Sequence, residues 1–210
     1  MNKIVNPTFK ILNETFPDNK NIDKSKLQMT TEGMYSVSGK EGSKFVTKII
    51  LRNMKKNKNI TVTDCTGNNG SETLMFAKYF KKVNSIEIED VNYQVLKNNI
   101  NVYKYKNINL IKGNSIKELP KLEQDVIVID APWGGPDYKN KKQLKLYLDN
   151  LELADIFNKF KDKAKLFVLK VPVNYDINNL LLSTMSYKIK IYSFKKNEIV
   201  KYFIIVIFTK

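Results

Sequence analysis

Histidine is absent from the 210-residue chain, and cysteine occurs once, at Cys65. Without histidine there is no Ser-His-Asp triad, no histidine general base and no histidine zinc site. A single cysteine excludes an internal disulfide and a cysteine-based zinc site. Long apolar runs are missing too. The most apolar stretch, residues 203–208, is far too short to span a bilayer, and Met1-Asn2-Lys3-Ile4 begins no apolar leader. Acidic residues are outnumbered, 21 Asp+Glu against 36 Lys+Arg, a net charge of +15. That balance points to a polyanionic partner, with nucleic acid first and an anionic membrane second. Arginine occurs only at Arg52, while Lys, Asn and Ile abound, as in an AT-rich genome. Any chemistry must therefore use carboxylates, amides, hydroxyls, lysine or a bound cofactor.

The length fits one domain plus an extension. Residues 1–58, interrupted by Gly33, Gly39 and Gly42, form the expected extension, with a helix over 43–54. Residues 59–210 then alternate. Strands are expected at 60–64, 83–88, 107–111, 126–130 and 165–171. Helices are expected at 69–80, 91–103, 141–160 and 177–185. Residues 187–194 and 200–208 read as two strands with no room for a helix between them, hence an antiparallel hairpin. Alternation of this kind argues a parallel sheet with helices on both faces. With a closing hairpin it resembles the seven-stranded, Rossmann-like α/β sheet of class I S-adenosylmethionine methyltransferases. Ligands in such sheets bind at the carboxyl ends of the strands.

The strand ends carry the candidate residues. Asp64-Cys65-Thr66-Gly67-Asn68-Asn69-Gly70 leads from the first strand into a helix. It reads either as an ordinary turn or as a cofactor loop in which Asp64, Thr66 and Gly67 approach the ligand. Glu87, at the tip of the second strand, is placed to accept from a ribose diol. Glu89 and Asp90 read as solvated charges, with Asp90 capping the next helix. Asn114 and Ser115 follow the third strand as adenine contacts or as a helix cap. The fourth strand ends in Asp130-Ala131-Pro132-Trp133-Gly134-Gly135-Pro136-Asp137-Tyr138, which holds the only tryptophan, where a core side chain would be badly placed.

Asp130-Ala131-Pro132-Trp133 resembles the Asp/Asn/Ser-Pro-Pro-aromatic signature of nucleobase amine methyltransferases. The longer stretch through Tyr138 is similar to the trimethylguanosine synthase family, which methylates the N2 amine of the 7-methylguanosine cap. Glu32-Gly33-Met34-Tyr35-Ser36-Val37, Asn98-Asn99 and Pro172-Val173-Asn174-Tyr175-Asp176-Ile177 resemble further segments of that family, in the same order. Ala131 stands for the first proline, Asn114 for an aspartate and Val173 for an arginine, and Asn68 departs from the usual Gly-x-Gly-Gly loop.

The resemblance implies an S-adenosylmethionine-dependent cap guanine-N2 methyltransferase. Asp130, Ala131, Pro132 and Trp133 would carry catalysis. Trp133, Asn99, Ser36, Tyr35, Asn174 and Lys170 would contact substrate, with Lys170 taking over a phosphate contact. The extension would contribute to that site, and residues 59–210 would form the methyltransferase domain. It further implies capped RNA as partner, no metal, no membrane, a monomer and an intracellular location in cytoplasm or nucleus. The family includes large-DNA-virus members, and the compact length and composition lean that way. Two other readings share some of these features: methylation of adenine N6 or an internal guanine, and a non-catalytic basic RNA-binding module. The Lys-rich stretch with Lys139, Lys141, Lys142 and Lys145 reads as a phosphate-binding surface or a solvated helix face.

Overall fold

The computed structural model describes residues 2–209, the side chain of Pro136 excepted. A seven-stranded sheet organises the chain. Its strands in chain order are β1 (Thr61–Asp64), β2 (Lys82–Glu87), β3 (Ile108–Lys112), β4 (Val126–Ile129), β5 (Leu166–Pro172), β6 (Lys188–Lys196) and β7 (Ile199–Phe208). Their spatial order is β6-β7-β5-β4-β1-β2-β3. β1, β2 and β3 pair in parallel, as do β4 and β5, while β7 runs antiparallel to both β5 and β6. β4 and β5 are buried along their whole length, as expected of strands covered on both faces. The hairpin is tighter than the sequence suggests. Lys196 faces Ile199, so only Asn197 and Glu198 make the turn, both with positive φ (52° and 60°), the geometry a two-residue hairpin requires.

The chain divides into two compact units, one running to Gly113 and one starting from Asn114. The first unit holds the extension together with β1–β3. Within it Ile4–Val5 pairs with Met29–Thr30, and Phe9–Thr15 and Lys40–Asn53 are helical. Leu12, Phe16, Leu27 and Met29 share a core with Leu74 and Tyr103. Burying such side chains is worth about 1.5–3 kcal/mol each, so residues 2–58 are an integral layer of this unit. Buried amides complete the join. Asn99 accepts from Gln28 N (2.9 Å) and donates to Gln28 O and Asn69 O (2.9 Å each). Asn69 Oδ1 accepts from Thr30 N (2.8 Å), and Asn92 Oδ1 from Thr30 Oγ1 (2.8 Å).

The helices Ser71–Tyr79, Asp90–Tyr103 and Asn178–Ser183 match their expected places. Asp90 does not cap its helix. Glu89 occupies that position without a side-chain cap bond, and Asp90 pairs with Lys112 (3.0 Å). The expected helix over 141–160 is the clearest departure. Only Leu153–Phe160 is helical, while Tyr147–Leu148 and Leu151–Glu152 form a small antiparallel pair. Leu144 and Leu146 are both buried, a two-residue spacing that suits an extended chain and not a helix. Asp149 then turns the chain at φ 54°, where a helix cannot continue.

Candidate functional site

In the first unit the candidates gather at the ends of β1 and β2. Asp64 is 2% exposed. Its carboxylate accepts from Thr73 Oγ1 (2.6 Å) and from Thr66 N (3.2 Å), so it shapes the loop that follows β1. Gly67 donates its N–H to Ile86 O (2.8 Å). A Cβ there would lie 2.6 Å from a Leu96 methyl and 2.7 Å from Ser85 Oγ, so only glycine lets the loop press against β2. Asn68, next along, holds φ 45°.

Glu87 is 6% exposed. Asn68 N donates to its Oε2 (2.7 Å) and Glu89 N to its Oε1 (2.8 Å). Burial raises its pKa above the usual carboxylate range. The two backbone N–H groups oppose that shift, while Asp64 and Glu32 add to it. Each oxygen keeps a second lone pair. Glu87 is thus a buried acceptor at a strand tip, beside a loop in close backbone contact, with lone pairs left for further donors.

Ser36 belongs to the same neighbourhood. Asn68 Nδ2 donates to Ser36 Oγ (2.9 Å), and Tyr35 beside it is 63% exposed. Asn99 is wholly buried, its amide spent on the backbone bonds described above.

In the second unit Asn114 caps the turn Ser115–Glu118, its Oδ1 accepting from Ile116 N (2.9 Å) and its Nδ2 donating to Asp149 (3.1 Å). Ser115 is buried. Asn114 thus caps the turn of which Ser115 is the first residue.

Asp130 follows β4, and Lys170 reaches it from β5. The Lys170 ammonium donates to Asp130 Oδ2 at 2.5 Å. Their side chains are 6% and 19% exposed for Lys170 and Asp130. Burial raises the Asp130 pKa, and the Lys170 charge and hydrogen bond hold it back. Sequence reasoning missed this pair. The signal was a lysine inside a strand otherwise wholly apolar, since a buried ammonium needs a carboxylate. The ammonium lies at the buried pair, not at an exposed phosphate-binding surface.

Ala131 is buried and Trp133 half-buried. The indole stands edge-on to Tyr138 (5.0 Å, 74°) and Tyr202 (6.4 Å, 62°). Lys170 Nζ lies 5.6 Å from the indole and 5.1 Å from the Tyr202 ring. Trp133 Nε1 is buried with no hydrogen-bond partner among the described residues. Asn174 fastens the following loop, donating to Tyr138 O (2.9 Å) and Lys141 O (2.7 Å). Pro132 is exposed. Thus Asp130, Trp133 and Lys170 converge, and Asn174 ties down the loop that follows Trp133. Among the described residues no metal-binding cluster occurs, and no helix is long and apolar enough to cross a membrane.

Known proteins resemble the chain in family and in fold. A family profile described as RNA cap guanine-N2 methyltransferase matches residues 59–210. An uncharacterised protein of Acanthamoeba polyphaga mimivirus is 30% identical over 201 residues, covering 84% of this chain and 78% of that protein. The trimethylguanosine synthase of Saccharomyces cerevisiae is 24% identical over 171 residues, covering 78% of this chain and 54% of the synthase. The chain thus spans about half the length of that synthase. Among solved structures, a precorrin-6y C5,15-methyltransferase from Geobacter metallireducens has a TM-score of 0.58 at 12% identity, over 92% of this chain and 93% of that one. A T. thermophilus 16S rRNA N2 methyltransferase, in complex with AdoMet and guanosine, has a TM-score of 0.60 at 14% identity, over 80% and 43%. Likeness at such identities speaks to the fold alone, which is that of the class I methyltransferases, enzymes that use S-adenosylmethionine. With the profile covering most of its length, this S-adenosylmethionine-dependent methyltransferase belongs to the RNA cap guanine-N2 methyltransferase family.

Proposed function

We propose that the chain methylates the exocyclic N2 amine of the 7-methylguanosine cap of RNA. The observation that carries this reading is the end of β4, where a buried carboxylate, Asp130, and a half-buried indole, Trp133, stand together. S-adenosylmethionine supplies an electrophilic methyl on a sulfonium. In the first unit, Glu87 would accept from its ribose diol, and the Asp64-Cys65-Thr66-Gly67 loop would approach it through backbone.

A guanine amine is a poor nucleophile, because its lone pair is delocalised into the ring. The protein must hold that amine in line and accept its hydrogens as it pyramidalises. The Asp130 oxygens and the Ala131 carbonyl are assigned that task, which is positioning and electrostatics and needs no histidine. Lys170 favours the ionised form of Asp130, the form able to accept. Pro132 stiffens the backbone between the carboxylate and the indole.

A 7-methylguanine ring is cationic, and on an indole face it gains about 0.5–2 kcal/mol over neutral guanine. Lys170 already sits near that ring, but its charge is balanced by Asp130 at 2.5 Å, so the site presents no net positive charge to the base. The extension is assigned to the acceptor through Tyr35 and Ser36, and Asn174 to the loop behind Trp133. The excess of lysine suits an RNA chain.

Trp133→Ala tests the reading. Activity on 7-methyl-GTP is expected to fall at least about a hundredfold, or roughly 2.7 kcal/mol. Cofactor affinity is expected to change little, since Glu87 and its loop lie in the other unit. If cofactor binding and turnover were lost together, the indole would not be an acceptor platform.

A further inference from the structure

Asn68 sits in the left-handed region, φ 45°, where glycine is favoured and an asparagine is tolerated only at a conformational cost. Its side chain is therefore expected to return something. Three groups of this one residue are committed or poised. The backbone N–H donates to Glu87 Oε2 at 2.7 Å. The side-chain Nδ2 donates to Ser36 Oγ at 2.9 Å. The remaining acceptor, Oδ1, is buried and has no hydrogen-bond partner among the described residues, an arrangement that costs free energy until a donor arrives.

What Nδ2 holds is a short turn built to be held. Ser36 Oγ in turn donates to Glu32 O (2.9 Å), and Glu32 is fixed from its other side by Asn2, whose Oδ1 accepts from Glu32 N (3.1 Å). Gly33 is wedged so tightly against the Asn69 amide that no Cβ fits. The turn Gly33–Ser36 nonetheless exposes Met34 (42%) and Tyr35 (63%). Large apolar side chains held out on an anchored turn are placed to meet something other than this chain. The charge of Glu32 is felt at Glu87, so the turn and the carboxylate are close enough for one to sense the other.

We infer that the Asn68 carboxamide is a clasp joining the cofactor to the Gly33–Ser36 turn: Oδ1 accepts a hydrogen bond from a donor of bound S-adenosylmethionine while Nδ2 retains Ser36. Loading the cofactor thereby stiffens the turn that carries Tyr35, and the acceptor-facing part of the extension is most rigid when a methyl donor is present. The inference rests on the assignment of Glu87 and its loop to the cofactor.

The test combines calorimetry of S-adenosylmethionine binding with amide hydrogen exchange over residues 30–37. Asn68→Gly removes both ends of the clasp while glycine keeps the loop's φ at no cost, so folding is preserved and is checked by circular dichroism. Ser36→Ala removes one end only. In the wild type, cofactor is expected to slow exchange across 30–37. In Asn68→Gly the dissociation constant is expected to rise about tenfold, the effect of one buried hydrogen bond, and the slowing to vanish. In Ser36→Ala the affinity is expected to stay within about threefold of wild type while the slowing again vanishes. Wild-type affinity in Asn68→Gly, or slowing that persists in either variant, overturns the clasp. No binding to the wild type at all would overturn the cofactor assignment itself, and the clasp with it.

Discussion

Replacing Lys170 by methionine keeps the length of the side chain and removes its charge, depriving Asp130 of that counter-charge in its buried setting. The pair is held at 2.5 Å with 6% and 19% of the two side chains exposed, so solvent cannot take over from the lost partner. Removing one member of such a pair costs about 3–5 kcal/mol where the survivor stays charged. Asp130 can escape by taking a proton, and this sets the pH dependence. Its pKa is already raised in the folded protein by burial, with Lys170 the opposing influence. Without Lys170 it rises further. A carboxyl raised in the folded state binds protons more tightly there than when unfolded. Its contribution to stability is then present below the unfolded value near 3.8 and lost as pH rises through the folded value. The variant's deficit should thus be small in acid and grow toward neutral pH. Urea unfolding at about pH 5 and about pH 8 reads it directly, each unit of added pKa shift being worth about 1.4 kcal/mol. The acid limb of the methyl-transfer profile should move to higher pH as well, and Lys170→Arg should restore part of both. A deficit of the same size at both pH values would refute the reasoning, because it would mean that lost packing and not a lost counter-charge is responsible.

Two further outcomes follow from the first unit. Glu87→Ala should weaken S-adenosylmethionine binding by about 1.5–3 kcal/mol by calorimetry, and because burial raises the wild-type Glu87 pKa, wild-type affinity should decline on acidification through that raised value; wild-type affinity in the variant would remove Glu87 from the site. Gly33→Ala would place a Cβ 1.9 Å from Asn69 Oδ1, which is itself held by Thr30 N, and should cost about 1–3 kcal/mol in a thermal melt; an unchanged melt would show that the turn is looser than its packing implies.

The sheet was legible because its signals are local. Each strand of the core is a short β-branched or apolar run, and the absence of room for a helix between residues 194 and 200 forced the antiparallel ending. The Asp130-Ala131-Pro132-Trp133 motif stood out for the same reason, since it is written in adjacent residues. What escaped is long-range. Lys170 meets Asp130 only because β4 and β5 are neighbours, with Ile129 facing Leu169. Asn99 looked like a motif residue, but its amide bonds to Gln28, far earlier in the chain. The lysines at 139–145 suggested a helix face, yet Leu144 and Leu146 are both buried, and Asn174 pins the chain ahead of them at Tyr138 and Lys141. Lysine spacing alone cannot separate a helix from a tethered loop, because either lets long charged side chains reach water.

The central claim is that a cationic, premethylated guanine is the acceptor. Transfer of labelled methyl from S-adenosylmethionine to 7-methyl-GTP, to GTP and to an uncapped RNA containing adenosine, compared in one assay, tests it most directly. The account predicts methylation of 7-methyl-GTP, a preference over GTP of about two- to thirtyfold from cation–π attraction at Trp133, and no transfer to the uncapped RNA. Equal use of GTP and 7-methyl-GTP, or preferred transfer to the uncapped RNA, would contradict it.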